Sequence, residues 1–135
     1  MVFPVSEGVS WDGNSFFQDT SVIIGGEVID FYKHWSNEYE YGAVDVAEEI
    51  NGIMFDSVAT VIQSAPSENK LNHRLSIEKY ARGVGLVYKE MLILDTQCCI
   101  SPDSLGLGLI FCDDIPWEVK AEKGLILRQR VIDFN

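Results

Sequence analysis

The sequence predicts a mainly β fold: a curved antiparallel sheet, or a two-layer sheet, built from hairpins and carrying one short helix. Three observations predict it. Turn-forming pairs, Asp12-Gly13, Gly25-Gly26, Asn51-Gly52 and Gly83-Val84-Gly85, punctuate the chain at short intervals. The runs between them are rich in β-branched and aromatic residues. Several of those runs alternate apolar and polar side chains, as a strand with one buried face does. At 135 residues, 47% hydrophobic and 23% charged, the chain has the size and balance of one globular domain, 1–135.

The first segments are short: Val22-Ile23-Ile24, then Val28-Ile29-Asp30-Phe31-Tyr32. The short helix is expected near residues 27–35. Residues 43–62 fit two periods. Ala43, Ala47, Ile50, Met54, Val58 and Val61 fall at helical spacing. Ile53, Phe55, Ala59 and Val61 share one face of a strand, with Ser57 between them. Asn51-Gly52 favours the positive φ values of a hairpin turn, and its glycine costs a helix about 1 kcal/mol. The turn inclines the reading to a hairpin, though periodicity alone leaves helix and hairpin both open.

Ala65-Pro66-Ser67-Glu68-Asn69-Lys70 is a loop by composition. A hairpin follows around Gly83-Val84-Gly85. Its second strand is apolar on both faces: Val87, Met91 and Ile93 on one, Leu86, Tyr88, Leu92 and Leu94 with Glu90 on the other. Such a strand needs cover on both sides. A broad loop with Pro102, Gly106, Gly108 and Asp113-Asp114 leads to Gly124 and a last strand, Leu125 to Phe134. On that strand Leu125, Leu127 and Val131 share one face, while Ile126, Ile132 and Phe134 share the other with Arg128 and Arg130.

Charge excludes partners. Ten Lys and Arg against 21 Asp and Glu leave a net −11. Such a surface repels phosphate backbones and anionic headgroups, so neither nucleic acid nor a peripheral membrane surface is an expected partner. No apolar run reaches the length of a transmembrane helix. The start, Met1-Val2-Phe3-Pro4-Val5, lacks the basic and apolar regions of a signal peptide. Taken by itself, that places the protein in the cytoplasm, unless a leader precedes this chain.

No motif carries a catalytic signature, and no cofactor or metal is expected. Gly83-Val84-Gly85 lacks the third glycine and the following helix of a dinucleotide loop. His34 and His73 stand far apart, outside any metal-ligand spacing. Ser10, Ser57 and Ser101 lack a nucleophile elbow. The carboxylates Asp45, Glu48, Glu49, Asp113 and Asp114 are tightly grouped but read as solvated charge before a glycosidase pair or a Ca²⁺ loop. Trp11, Trp35, Trp117, Tyr39, Tyr41, Tyr80 and Tyr88 supply either the heavy pieces of a small core or the lining of a cleft. Cys98 and Cys99 point to opposite faces of an extended chain, so one of them at most bridges easily to Cys112. That disulfide would contribute about 3 kcal/mol in an oxidising compartment, and buried free thiols are the other reading.

Glu78-Lys79-Tyr80-Ala81-Arg82-Gly83-Val84-Gly85-Leu86-Val87-Tyr88-Lys89-Glu90 resembles a signature near the end of many small Bacteroidetes envelope lipoproteins of unknown function. Other stretches are similar in the same order: Phe3-Pro4-Val5 with Gly8 and Trp11 to Asn14, Ile50 to Gly52 with Phe55 to Val58, and Ile132 to Asn135. The resemblance implies an antiparallel β fold on the cell envelope, anchored through a lipid on a cysteine upstream of this chain. The chain departs from the pattern in lacking the lipobox cysteine and in its cysteine-containing loop 95–115. The family carries no assigned active site, so no functional residue is transferred. The function expected is that of a non-catalytic envelope domain, structural or binding; the alternative is a carrier sheltering a small hydrophobic ligand on a concave sheet face.

Overall fold

A computed structural model of the chain describes residues 4–13, 21–24, 26–30, 35, 38–65, 70–97, 101–102, 109–110 and 114–134. It is mainly β, as the turn spacing predicts. Eleven strands and one helical turn follow in order among the described residues: β1 (Ser10–Asp12), β2 (Ser21–Ile24), β3 (Glu27–Asp30), β4 (Glu38–Tyr41), β5 (Val46–Ile50), β6 (Ile53–Ser64), β7 (Asn72–Ala81), β8 (Gly85–Asp95), β9 (Ser101–Pro102), β10 (Leu109–Ile110), α1 (Trp117–Lys120) and β11 (Lys123–Arg130).

Seven strands form one antiparallel sheet in the order β1-β4-β6-β7-β8-β11, with β5 pairing β6 beside β4. Strands β2 and β3 make a separate hairpin, and β9 pairs β10. The helix expected near residues 27–35 is corrected where the span is described: Glu27–Asp30 is a strand, 31–34 lie outside the described residues, and the helical turn among the described residues lies at Trp117–Lys120. Val28-Ile29 are β-branched and follow a turn at Gly26 (φ 89°), so hairpin pairing with β2 outcompetes a helix.

The ambiguous stretch 43–62 is a hairpin. Asn51 and Gly52 take φ 55° and 81°, the positive values their side chains tolerate, and Ile50 pairs with Ile53 across them. The facing residues differ from those the alternation suggested. Val46 pairs with Val58, but Glu48 pairs with Phe55, so an extra residue in β6 shifts the register. The buried positions of β6 are therefore Phe55, Val58, Val61 and Ser64 instead of a strict alternation through Ala59.

The β7–β8 hairpin forms around Arg82–Val84 as expected, and it too contains a slip: Lys79 pairs with Tyr88 and Tyr80 with Leu86. Val87 thus leaves the face of Met91 and Ile93 and joins a cluster with Ile50, Phe55, Val58 and Ala81, packed by Ile53, Tyr88 and Val131. Farther along, Leu92, Ile93 and Leu94 are all buried, so this end of the strand is covered on both faces, whereas Leu86 at its start is 46% exposed. The last strand ends at Arg130, short of the Phe134 expected. Val131 still donates its N–H to the Val87 carbonyl at 2.9 Å, but packs with the Val87 cluster and not with Leu125 and Leu127. The bulge at Val87 is what carries it to the other side.

These slips curl the sheet. Two strands, β7 and β8, separate β6 from β11 in the sheet order. Yet Asn51 Nδ2 donates to the Val131 carbonyl at 3.1 Å, and the rings of Phe55 and Phe134 lie 5.4 Å apart. The tip of the β5–β6 hairpin has folded over the sheet to meet the segment after β11.

The opposite face holds a polar network. Arg74, 1% exposed, pairs with Asp95 at 2.8 Å and donates to the carbonyls of Leu94 and His73, each at 3.1 Å. Asn72 donates to Asp95 at 2.6 Å, and Ser76 to Gln63 at 2.7 Å. Glu78 accepts from Tyr80 at 2.6 Å and from Lys89 at 2.7 Å. Each buried polar group of this network has a partner, which is the condition for burying it at all.

Candidate functional site

Between the curled hairpin and the β8–β11 end of the sheet lies an open cleft of about 310 Å³, lined by Glu48, Glu49, Ile50, Asn51, Ile77, Lys79, Tyr88 and Arg130. The register explains why these residues meet. Lys79 and Tyr88 are cross-strand partners, Tyr88 pairs in turn with Arg130, and Ile77 lies two residues before Lys79 on the same face. Glu48 and Ile50 come from the hairpin arm folded above them.

Tyr88 is the floor. The Lys79 ammonium lies 5.7 Å and the Arg130 guanidinium 5.9 Å from its ring centroid, so each neighbouring strand sets a cation by the ring. Lys79 is also hydrogen-bonded to Glu48, which ties the hairpin arm to β7. The Tyr88 hydroxyl donates to Glu90 at 3.0 Å. Glu90 in turn accepts from Arg128 Nε at 2.6 Å, and the Arg128 guanidinium reaches on to Glu118 of α1.

The titration states follow. Burial pushes the Tyr88 phenol above its ordinary value, and the hydrogen bond to Glu90 and the Glu90 charge add to this against the opposing pull of Arg130. Burial also works to raise the Glu90 carboxyl. The hydrogen bonds from Arg128 and Tyr88, with the charges of Arg128 and Arg130, outweigh it and hold Glu90 below the usual carboxylate value. A general acid or base works best with a pKa near the operating pH, and both shifts run away from neutrality. The cleft offers an aromatic surface, two cations, two carboxylates and an amide: equipment for holding a ligand.

The residues singled out in the sequence are scattered. Of the seven aromatics, Tyr88 lines the cleft. Tyr41 is buried, with Trp11 4.8 Å away, ring to ring. Trp117 stacks on His73 at 5.1 Å, and Tyr80 serves the polar network. His73 is held below its ordinary value by burial first, then by the charges of Arg74 and Lys120. Asp45 accepts from Ser57 at 2.5 Å and pairs with Arg82 at 2.9 Å beside the β6 bulge, so these charges brace a bend. Glu48 and Glu49 rim the cleft. Asp114 lies in an exposed turn. His34, Asp113 and the three cysteines, Cys98, Cys99 and Cys112, lie outside the described residues. No cluster of three or more His, Cys, Asp or Glu side chains that could hold a metal ion occurs among the described residues. No described helix is long and apolar enough to cross a membrane.

Lys79 and Arg130 were not picked out as binding residues, and Asn51 was picked out only as half of a turn. The one local signal is a shared strand face, Lys79 with Ile77 and Arg130 with Ile126 and Arg128. No protein family, no curated protein and no solved structure matches the chain.

Proposed function

We propose that the chain is a non-catalytic binding domain of the cell envelope, whose cleft holds a small amphiphilic ligand against Tyr88. The observation that carries the reading is the unfilled 310 Å³ space under the hairpin, at the size where ligand pockets begin. Its lining narrows the ligand. Ile50, Ile77 and the Tyr88 ring suit an apolar body. Arg130, which makes no ion pair among the described residues, suits an anionic end. A purely hydrophobic ligand would desolvate the Arg130 guanidinium and the Lys79–Glu48 pair without offering either a polar contact.

Native mass spectrometry after incubation with a lipid and glycan extract of the host tests this. The expected result is one retained, defined mass that is lost in Tyr88→Ala and weakened in Arg130→Gln. A bare protein throughout the titration refutes the carrier reading.

The envelope placement rests on the resemblance of Glu78 to Glu90 and the stretches in order around it to envelope lipoproteins. Its test is separate. The full gene product expressed in its host should take up labelled palmitate on a cysteine preceding this chain; no incorporation overturns the anchor.

A further inference from the structure

From the edges of the sheet we infer a second binding surface, which meets the cleft at Arg130: β11 is a docking strand for an extended acidic segment of a partner protein. Native sheets guard their edges with short strands, bulges, proline or charge, because an unpaired edge invites another strand. Two of this sheet's edge strands are guarded. β1 has three residues, and β5 has five, interrupted by a register shift and carrying Glu48 and Glu49.

β11 is different. It pairs with β8 through eight consecutive residues without a slip, contains no proline, and among the described residues has β8 as its one neighbour in the sheet. Half of its backbone N–H and C=O groups therefore point away from the sheet. Between Lys123 and Arg128 the strand reads Gly-Leu-Ile-Leu, with no charge. Exposed apolar side chains occur on it and on the elements beside it: Ile126 on the strand itself is 43% exposed, Val119 of the helical turn α1 73%, and Val28 of β3 53%. β3 lies against β11, where Lys123 Nζ approaches the Val28 carbonyl at 3.5 Å. An added strand would thus gain main-chain hydrogen bonds and an apolar contact at Ile126.

Charge selects the occupant. In a protein of net −11, β11 carries Lys123, Arg128 and Arg130 and no acid. Arg128 is engaged by Glu90 and Glu118, but Lys123 and Arg130 make no ion pair among the described residues. They stand near the two ends of the strand, about 23 Å apart at the rise of a strand. A second copy paired antiparallel along the full strand would set Lys123 against Arg130 twice, a like-charge penalty. An extended segment with carboxylates seven residues apart meets both cations.

The probe is the peptide acetyl-Glu-Val-Thr-Val-Thr-Val-Thr-Glu-amide, fluorescently labelled, with a counterpart that has Lys at both ends. Binding is read by fluorescence anisotropy, and its place by amide hydrogen exchange. The acidic peptide should slow exchange at alternate amides of β11. It should bind about tenfold tighter than the Lys-ended peptide, and lose about threefold on K123E, a residue outside the cleft lining, the loss expected for one exposed ion pair. The peptide swap tests charge selection on the wild-type protein, whatever the variant's stability. Equal binding of both peptides, or no slowing in β11 at millimolar acidic peptide, overturns the proposal. So do outward amides already protected in the free monomer, and protection that rises with protein concentration alone, which would assign the edge to a second copy.

Discussion

Arg74→Met tests how the sheet tolerates charge in its interior. The guanidinium is 1% exposed, paired to Asp95 at 2.8 Å and donating to two carbonyls at 3.1 Å. Methionine keeps most of the aliphatic bulk and removes every donor. Left behind are two carbonyls short of a donor and an Asp95 carboxylate, 16% exposed, that retains Asn72 at 2.6 Å. Breaking a buried ion pair from one side costs about 3–5 kcal/mol. The partial solvent contact of Asp95 and its second hydrogen bond place this case near 3 kcal/mol, or a fall in Tm of about 10 °C for a chain of this length. Urea unfolding at pH 7, followed by tryptophan fluorescence, measures it, with an unchanged m-value as the check that the unfolding surface is the same. Adding Asp95→Asn removes the stranded charge, so the double variant should recover about 1–2 kcal/mol relative to Arg74→Met. A loss below about 1 kcal/mol in the single variant, or a double variant as poor as the sum of the singles, would refute the reasoning.

Gly124 sits at φ 151° where a Cβ would collide with the Ile93 carbonyl oxygen and come 2.9 Å from Leu94 Cα. Gly124→Ala should therefore cost about 2–4 kcal/mol by calorimetry, as β11 is pushed off β8. His73 is held below its ordinary 6.5 by burial, Arg74 and Lys120, so the folded protein favours the neutral ring. Its contribution to stability is complete above pH 6.5 and is lost as pH falls from there through the folded value; His73→Gln should abolish that part of the slope in urea midpoints taken between pH 7 and 5. Asp95 has the same sign at lower pH. Burial works to raise its carboxyl, but the hydrogen bonds from Arg74 and Asn72 and the nearby charges outweigh it and hold it below 3.8. The stability it contributes is present above the unfolded carboxylate pKa and lost as pH falls through the folded one, so midpoints should fall again below about pH 4, and less in Asp95→Asn. Tyr88→Phe removes one donor to Glu90 and should raise the Glu90 carboxyl in a ¹³C titration while costing about 1 kcal/mol of stability.

Local chemistry determined the elements. Asn51-Gly52 makes a hairpin turn because few other pairs accept two positive φ angles in succession, and that settled a segment whose apolar spacing fits a helix equally well. Gly83-Val84-Gly85 and the alternation around it placed β7 and β8, and the cover that the two-sided apolarity of Leu86 to Leu94 demanded is met at Leu92 to Leu94 but not at Leu86, which is 46% exposed. Each of these is a property of a few neighbouring residues.

What the sequence could not hold is the parity of side chains beyond a bulge. One extra residue near Val87 moves that side chain, and Val131 with it, to the other face, and another in β6 replaces Ala59 by Val58 in the core. Because strand side chains alternate with a period of two, a slip of one residue inverts every assignment after it, and no local pattern marks where the slip occurs. The same slips curl the sheet until Asn51 meets Val131 across 80 residues of chain, and that closure brings Glu48, Lys79, Tyr88 and Arg130 around one space. Turn types and strands were thus written locally, whereas the cleft and the place of β11 at the end of the sheet order were decided by how the strands register and which strand each one pairs with.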